Sequence, residues 1–262
     1  MLDDGLLLIR RLLKVVEGPS DNIIVVPEKN RLEIDNYRNA LLSTIAPDCI
    51  IATALLVMRG PVSYDDLSKE CQKLSYWLRY EFIYQTDRTY HENFEASLNS
   101  LIEDGVIALE DGCVEIKAPK TLNFYRATLR HLLEGYWLTA DALRSLSKGS
   151  VEKKSWIKLA RTHGERQLLQ GFIKRPESMS TVVIQNALML FENEELISTR
   201  KINQSSKSSL FLTLSSTSTL EELALRRDEL GVYLSDSSVQ GDTFPPVAFT
   251  PDAITQDAQP KK

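Results

Sequence analysis

Glycine-rich phosphate-binding loops and paired metal-binding cysteines are both missing from this sequence of 262 residues. It contains neither GxGxxG nor GxxxxGK(S/T), which excludes the usual dinucleotide-binding and P-loop chemistries. Its three cysteines, Cys49, Cys71 and Cys113, lie far apart and form no CxxC pair. With only three histidines, this spacing does not suit a structural zinc site. We therefore expect reduced, mostly buried thiols, no metal and no cofactor.

A long apolar run is also lacking. The longest apolar stretch, Ile45 to Met58, contains Pro47 and Asp48. It is shorter than the roughly 20 residues that span a bilayer. The start of the chain, 1–4, is acidic where a secretory signal is basic. We expect no transmembrane helix in this chain, and we interpret the apolar stretch as either a core helix or an interfacial segment.

Positive charge is in short supply as well. The formal net charge is −5 and the isoelectric point is about 5.4. A nucleic-acid-binding protein needs a basic face that neutralises phosphates and releases counterions. The overall balance argues against such a partner, although a local basic patch is compatible with it.

Helical periodicity dominates what is present. The pattern predicts helices at 6–17, 32–58 with a break at Pro47, 63–84, 90–104, 121–146, 150–171, 179–193 and 220–234. It predicts a strand at 23–26 and hairpins at about 106–116 and 196–214. The expected fold is mainly α, a helical bundle with two small winged-helix-like β-hairpins, because helix, helix and hairpin recur at about 62–116 and 150–214.

No residue in this pattern is assigned a catalytic, cofactor-binding or metal-binding role. His91, His131 and His163 are the candidates for a general base, but none has a Ser or Cys partner in a recognisable nucleophile motif. Paired carboxylates lie near predicted helix ends, where they complement the helix dipole. These pairs are Asp65-Asp66, Glu194-Glu195 and Glu221-Glu222.

The helices at the recognition position of each winged-helix-like unit carry no cations. Helix 90–104 has only acidic charges, and helix 179–193 has no Lys or Arg. The basic cluster Lys153-Lys154, Lys158 and Arg161 lies on the preceding helix. DNA recognition by this motif requires several cations on the recognition helix. We expect no nucleic-acid partner, and the units are more typical of protein–protein or intramolecular packing modules.

Four segments, taken in order, resemble a known family. They are EIDNYRNALLSTIAPDCIIATALL, YWLRYEFIYQTDRTYHENFEASLNSLIEDGVI, TLRHLLEGYWLTADALRSL with its Glu-x-Tyr core, and SLFLTLSSTSTLEELALRRDELGVYL. Over about residues 1–234 the sequence resembles the C-terminal region of glycerol-3-phosphate acyltransferases of the mitochondrial type. Dihydroxyacetone-phosphate acyltransferases share the architecture. Their peroxisomal address is a tripeptide like SKL, whereas this sequence ends Gln259-Pro260-Lys261-Lys262.

The resemblance implies a protein of phospholipid biosynthesis at the mitochondrial outer membrane. Its substrates would be acyl-CoA and glycerol 3-phosphate, which yield lysophosphatidate. Its partners would be an acyltransferase catalytic domain and the membrane surface. Residues 1–60 would be N-terminal helices that join the acyltransferase domain, 61–234 a helical C-terminal domain with the two units, and 235–262 a disordered tail.

The family's catalytic motif, however, is not in this sequence. Those enzymes use His-x4-Asp, in which the His is the general base on the glycerol hydroxyl. Five residues after His91, His131 and His163 stand Ala96, Tyr136 and Leu168. We therefore expect this chain, as a fragment or a free-standing helper, to be inactive alone. The alternative is a non-enzymatic winged-helix-like scaffold for protein interactions.

Overall fold

The computed structural model describes residues 10–17, 22–25, 27, 30–82, 89–204, 207–216 and 218–235. Over these residues the protein is mainly helical, with two small antiparallel three-stranded sheets, which confirms the predicted fold class. The chain separates into two compact units, Met1–Ala46 and Pro47–Lys262. The division at residue 60 stays a prediction, and the predicted tail beyond 235 lies outside the described residues.

The N-terminal unit contains a hairpin rather than the helix predicted at 6–17. A 3-10 turn at Arg10–Leu12 is followed by β1 (Lys14–Glu17), which pairs antiparallel with β2 (Asn22–Val25). The prediction is wrong over the described part of that segment because the two valines of β1 prefer a strand, where β-branched side chains pack well. Residues 1–9 lie outside the described residues. The predicted strand at 23–26 is confirmed by β2.

Helix α1 (Arg31–Met58) continues through Pro47, so the predicted break is absent. A proline inside a helix removes one backbone hydrogen bond, and burial of the following turns offsets that loss. Cys49, Ile50, Ile51 and Leu55 are each at most 3% exposed. The apolar stretch is therefore a core helix, and the interfacial interpretation of it is wrong. No helix among the described residues is both long and apolar enough to cross a membrane.

The first winged-helix-like unit begins directly after α1. Its elements are β3 (Val62–Ser63), α2 (Tyr64–Trp77), α3 (Tyr90–Glu103), β4 (Ile107–Glu110) and β5 (Cys113–Ile116), with strand order β3-β5-β4. Side chains cap both helices. Ser63 accepts a bond from the backbone N–H of Asp66, and Thr89 forms a capping box with Glu92.

The second winged-helix-like unit repeats this order. Its elements are β6 (Val151–Glu152), α5 (Lys153–Leu169), α6 (Thr181–Asn193), β7 (Ile197–Gln204) and β8 (Lys207–Leu214), with strand order β6-β8-β7. A 3-10 turn at Pro176–Met179 links its two helices. In each unit a two-residue strand before the first helix completes the sheet. The sequence analysis predicted the hairpins but not this third strand.

Helix α4 (Pro119–Leu143) connects the two units and forms the centre of the core together with the closing helix α7 (Thr219–Leu234). Every residue of α4 from His131 to Leu143 is buried. Helices α5, α6 and α7 all pack on it. Gly135 permits this close packing: a Cβ there would lie 2.3 Å from Cγ1 of Val183 and 2.8 Å from the carbonyl oxygen of Ser178.

Candidate functional site

Two acidic side chains on α4 are buried where this helix packs against the second winged-helix-like unit. The first, Glu134, has no exposed surface. Its carboxylate accepts bonds from Nε of Arg130 at 2.8 Å, from the backbone N–H groups of Lys174 and Arg175 at 3.1 and 3.0 Å, and from Oγ of Ser178 at 2.8 Å. Four donors satisfy this carboxylate. Glu134 therefore fixes the segment between α5 and α6 against α4.

The second buried acid, Asp141, lies seven residues further along the same side of α4. Its Oδ2 is 2.8 Å from Nε2 of His163, and its Oδ1 is 3.2 Å from Nη1 of Arg227. Burial alone would raise the pKa of Asp141, but the hydrogen bonds and positive charges of His163 and Arg227 lower it below its usual value. This cluster ties α4, α5 and α7 together through one carboxylate.

The Asp141–His163 pair has the geometry in which a carboxylate orients a catalytic base. The surroundings of the pair, however, indicate a structural role and not a catalytic one. His163 is 9% exposed, and Nε2 of Gln167 lies 3.4 Å from its ring nitrogen. A general base has to reach a proton on a bound substrate, and the ring of His163 is buried in the core. We assign the pair to packing of the three helices.

The other two histidines lie on different helices. His91 on α3 is exposed and lies 3.3 Å from Oε1 of Glu95. His131 on α4 is 7% exposed, with Nδ1 3.1 Å from the carbonyl oxygen of Thr128. His131 is therefore a buried residue of the core and not a residue of the helix surface. Within the described ranges, no three His, Cys, Asp or Glu side chains are grouped as metal ligands.

A buried polar junction connects the turn after α2 to α4 and to the second winged-helix-like unit. Glu81 interacts with Tyr136 of α4 and Asn186 of α6, and burial raises its pKa to about 7 although these hydrogen-bonding contacts lower it. The contact with Tyr136 falls short of standard geometry, since neither Oε1 of Glu81 nor the Tyr136 hydroxyl has a well-placed partner. At neutral pH this carboxyl is partly protonated.

Charged side chains extend the same junction toward α7. Arg226 bonds to Glu194 at 3.1 Å and lies over the ring of Trp77 at 4.7 Å. Arg79 lies close enough to Glu194 to influence its pKa. Nε of Arg79, Oε2 of Glu194 and Nε of Arg226 are buried without a hydrogen-bond partner. Buried polar atoms of this kind are usually bridged by ordered water, so we interpret the junction as a hydrated contact between helices.

A small apolar pocket opens beside the first unit. Its volume is about 240 Å³. Its lining residues are Pro47, Ile50 and Ile51 of α1, Cys71 and Ser75 of α2, and Tyr90, Asn93 and Phe94 of α3. Burial raises the pKa of the Cys71 thiol far above its usual value, so the thiol is neutral and a poor nucleophile. The pocket suits an apolar group and offers no acid–base chemistry.

Residues 1–200 match the family described as the glycerol-3-phosphate acyltransferase C-terminal region. The chain belongs to this family. A search of curated proteins finds no match.

The glycerol-3-phosphate acyltransferase C-terminal region thus includes the N-terminal hairpin and every later element up to the first half of β7. The buried acids Glu134 and Asp141 lie inside the match, whereas Arg227 lies beyond it. Sequence reasoning missed these acids, although a signal was present. Two carboxylates seven residues apart interrupt the otherwise apolar run LLEGYWLTADAL, and charged residues in such a run are rarely buried unless they are paired.

Proposed function

We propose that this chain is the C-terminal region of a mitochondrial-type glycerol-3-phosphate acyltransferase and supports the catalytic domain without performing acyl transfer itself. The family match over residues 1–200 carries the proposal. The full enzyme would transfer an acyl group from acyl-CoA to glycerol 3-phosphate and yield lysophosphatidate. In this proposal the catalytic domain supplies the His-x4-Asp pair that the present sequence lacks.

The state of the titratable side chains is consistent with a supporting role. Asp141 and His163 hold each other in the core, and four donors occupy Glu134. The pocket beside the first unit is lined without an ionised side chain. Acyl transfer to a hydroxyl needs an accessible base near the acceptor, and the buried acid–base groups described above do not provide one.

The mitochondrial branch and the location at the outer membrane are parts of the same proposal. They rest on the resemblance of the last segment, which has a strand, a serine- and threonine-rich turn and a closing helix. The structure has β8 and α7 in that order. This agreement supports the order of elements, while the assignment to the branch and to the membrane comes from the resemblance.

The N-terminal hairpin β1–β2 is the part that we expect to contact the catalytic domain. Its side chains Val15, Val16 and Val25 are 57%, 39% and 40% exposed. An isolated two-stranded hairpin is at best marginally stable in water. Exposed apolar side chains on such a hairpin favour a covering partner, and in the proposed enzyme that partner is the catalytic domain.

Co-purification tests this proposal. The chain, coexpressed with the acyltransferase domain of a family member, should co-purify with it. Replacing Val15 and Val25 by Asp should abolish this association, whereas Leu109→Asp, on a comparably exposed residue of β4, should leave it intact. The chain alone should form no lysophosphatidate from acyl-CoA and glycerol 3-phosphate. Product formation that persists after replacement of all three histidines would overturn the proposal.

A scaffold that binds proteins and belongs to no enzyme is the second candidate. The winged-helix-like topology of both units favours it, since these units lack basic recognition helices. The same experiment separates the two candidates. Failure to associate with any acyltransferase domain of the family, by a chain that is folded, would favour the scaffold.

A further inference from the structure

The exposed side of α5 carries a row of cations. Lys154, Lys158 and Arg161 follow one another at spacings of four and three residues, opposite the buried Trp156 and Ala160. At 1.5 Å per residue the row extends over roughly 10 Å of the helix. Among the described residues, none of the three cations forms an ion pair. The row is therefore available to an anionic partner.

The long wing of the second unit begins next to this row. Phe211 of β8 pairs with Glu152 of β6 on one side and with Arg200 of β7 on the other. Adjacent strands are about 4.8 Å apart, which puts Arg200 roughly 10 Å from Glu152. Helix α5 starts at the residue after Glu152. The cations of the wing, Arg200 and Lys201, thus lie near the first turn of the helix that bears the basic row.

The distal part of the wing combines these cations with exposed apolar side chains. Ile202 is 40% exposed and Leu210 is 45% exposed. Lys201 and Leu210 are cross-strand partners and share one face of the hairpin, whereas Arg200 and Ile202 point to the opposite face. Each face of the distal wing therefore pairs a cation with an exposed apolar side chain. Cations beside exposed apolar groups are typical of segments that lie in a membrane interface, where apolar side chains enter the headgroup boundary and cations meet phosphates.

We propose that this surface, which we call the basic face, binds the headgroups of an anionic lipid membrane. The basic face consists of the row Lys154, Lys158 and Arg161 on α5 together with both sides of the distal wing. One side of the wing carries Arg200 and Ile202, and the other carries Lys201 and Leu210, with Ile202 and Leu210 as the apolar part. The inference locates the proposed membrane association on a specific surface of the protein, and it rests on the membrane association in the proposed function. It also replaces the membrane contact expected at Ile45 to Met58, which is core.

The observations favour lipid over nucleic acid. Helix α6, at the recognition position of this unit, has no Lys or Arg and exposes Val182 and Met189 instead. A winged-helix protein that reads duplex DNA needs cations on that helix. The first unit, 62–116, has four basic and twelve acidic residues, a net charge of −8, which opposes wrapping by a polyanion.

Vesicle co-sedimentation with the full chain tests the inference. The chain should bind vesicles of phosphatidylcholine mixed with phosphatidylserine, bind weakly to phosphatidylcholine alone, and dissociate as salt is raised. The variant K154Q/K158Q/R161Q should lose about a hundredfold in affinity, from the contribution of each cation near an anionic surface. The control K69Q/K117Q/K120Q removes the same charge from residues outside the basic face and should bind like the parent chain.

Each other outcome contradicts the inference. Equal loss in both variants would mean that overall charge, not this surface, governs binding. No vesicle binding by the parent chain, or binding to duplex DNA in preference to vesicles, would equally overturn it. If the basic-face variant no longer binds vesicles but still co-purifies with the catalytic domain, the proposed assembly with that domain does not depend on the membrane contact.

The apolar part has its own test. I202S/L210S should weaken vesicle binding while leaving the salt dependence unchanged, because it removes no charge. The matched variant L109S, on the shorter wing of the first unit, should have no effect. Unchanged binding by I202S/L210S would remove the wing from the proposed surface and overturn the interfacial part of the inference.

Discussion

The two winged-helix-like units share a topology but differ in charge, wing length and helix capping. The first has a net charge of −8, as counted above, and strands of four residues in its wing. The second, 150–214, has ten basic and six acidic residues, a net charge of +4, and wing strands of eight residues. Apolar spacing and turn positions are enough to specify the shared topology. The topology does not depend on net charge or on wing length. Because the units differ in these two properties, we expect them to bind different partners.

The units are also held to the core by different means. The first packs on the apolar half of α1, where Cys49, Ile50 and Leu55 are buried. The second is held to α4 and α7 by carboxylates, with Asp141 bonded to His163 and Arg227. An apolar contact tolerates small shifts, whereas a buried charge cluster fails when one partner is removed. The following changes test this contrast, beginning with the largest expected effect.

Leu55→Asp should unfold the protein. Leu55 has no exposed surface, and an unpaired carboxylate buried there costs several kcal/mol or more. The neighbouring Leu56 is half-buried, so Leu56→Asp is the matched control and should be much better tolerated. Circular dichroism and urea denaturation measure both. A cooperative, folded Leu55→Asp variant would contradict the assignment of α1 to the core.

Asp141→Ala should destabilise the fold by about 3–5 kcal/mol, because it leaves Arg227 and His163 buried without their carboxylate. The urea midpoint reports the change. Glu165→Ala on the exposed side of α5 provides the control and should shift the midpoint little. If the two variants were equally stable, the charge cluster would not anchor the second unit.

Glu81→Gln should remove a pH dependence of stability. The folded-state pKa of Glu81 is raised to about 7, so the native state holds a proton that the unfolded state releases near pH 4.5. The parent protein is therefore more stable below pH 4.5. Its free energy of unfolding falls by up to about 3 kcal/mol as the pH rises from 4.5 to 7. We expect the variant to be the more stable at pH 8 and similar at pH 5. If the free energy of unfolding depended on pH in the same way in both proteins, the burial assigned to Glu81 would be contradicted.

Thr89→Ala should cost about 1 kcal/mol, because it removes the capping box of α3. The corresponding change in the second unit, Ser180→Ala, should cost almost nothing, since the Ser180 side chain makes no capping bond to α6. Thermal denaturation of both variants compares the units at equivalent positions. Equal losses would show that capping does not distinguish them.

The sequence predicted most helices and both wings because their signals are local. Turn residues such as Asp111-Gly112 and the caps at Ser63 and Thr89 act over a few positions. The hairpin β1–β2 was missed because an apolar run of this length does not distinguish a helix from a strand. The short strands β3 and β6 were missed because two residues carry no periodicity and pair only once the distant β5 and β8 exist.

The candidate sites were harder to predict because they depend on long-range contacts. Asp141 and Arg227 are 86 residues apart, and no local pattern pairs them. The pKa of Glu81 depends on burial against Tyr136 and Asn186, which belong to other helices. The absence of His-x4-Asp, in contrast, is a property of the sequence itself.

The position of β8 has a consequence for how this domain can evolve. The family match ends at residue 200, yet β8 is the middle strand of its sheet and Arg227 completes a charge cluster whose other members precede that point. A chain that stopped at 200 would leave β6 and β7 without a common neighbour and Asp141 without Arg227. Residues 207–234 are thus an obligatory part of the folding unit. Substitutions there are constrained by partners dozens of residues upstream, however different the sequences of relatives become in this stretch.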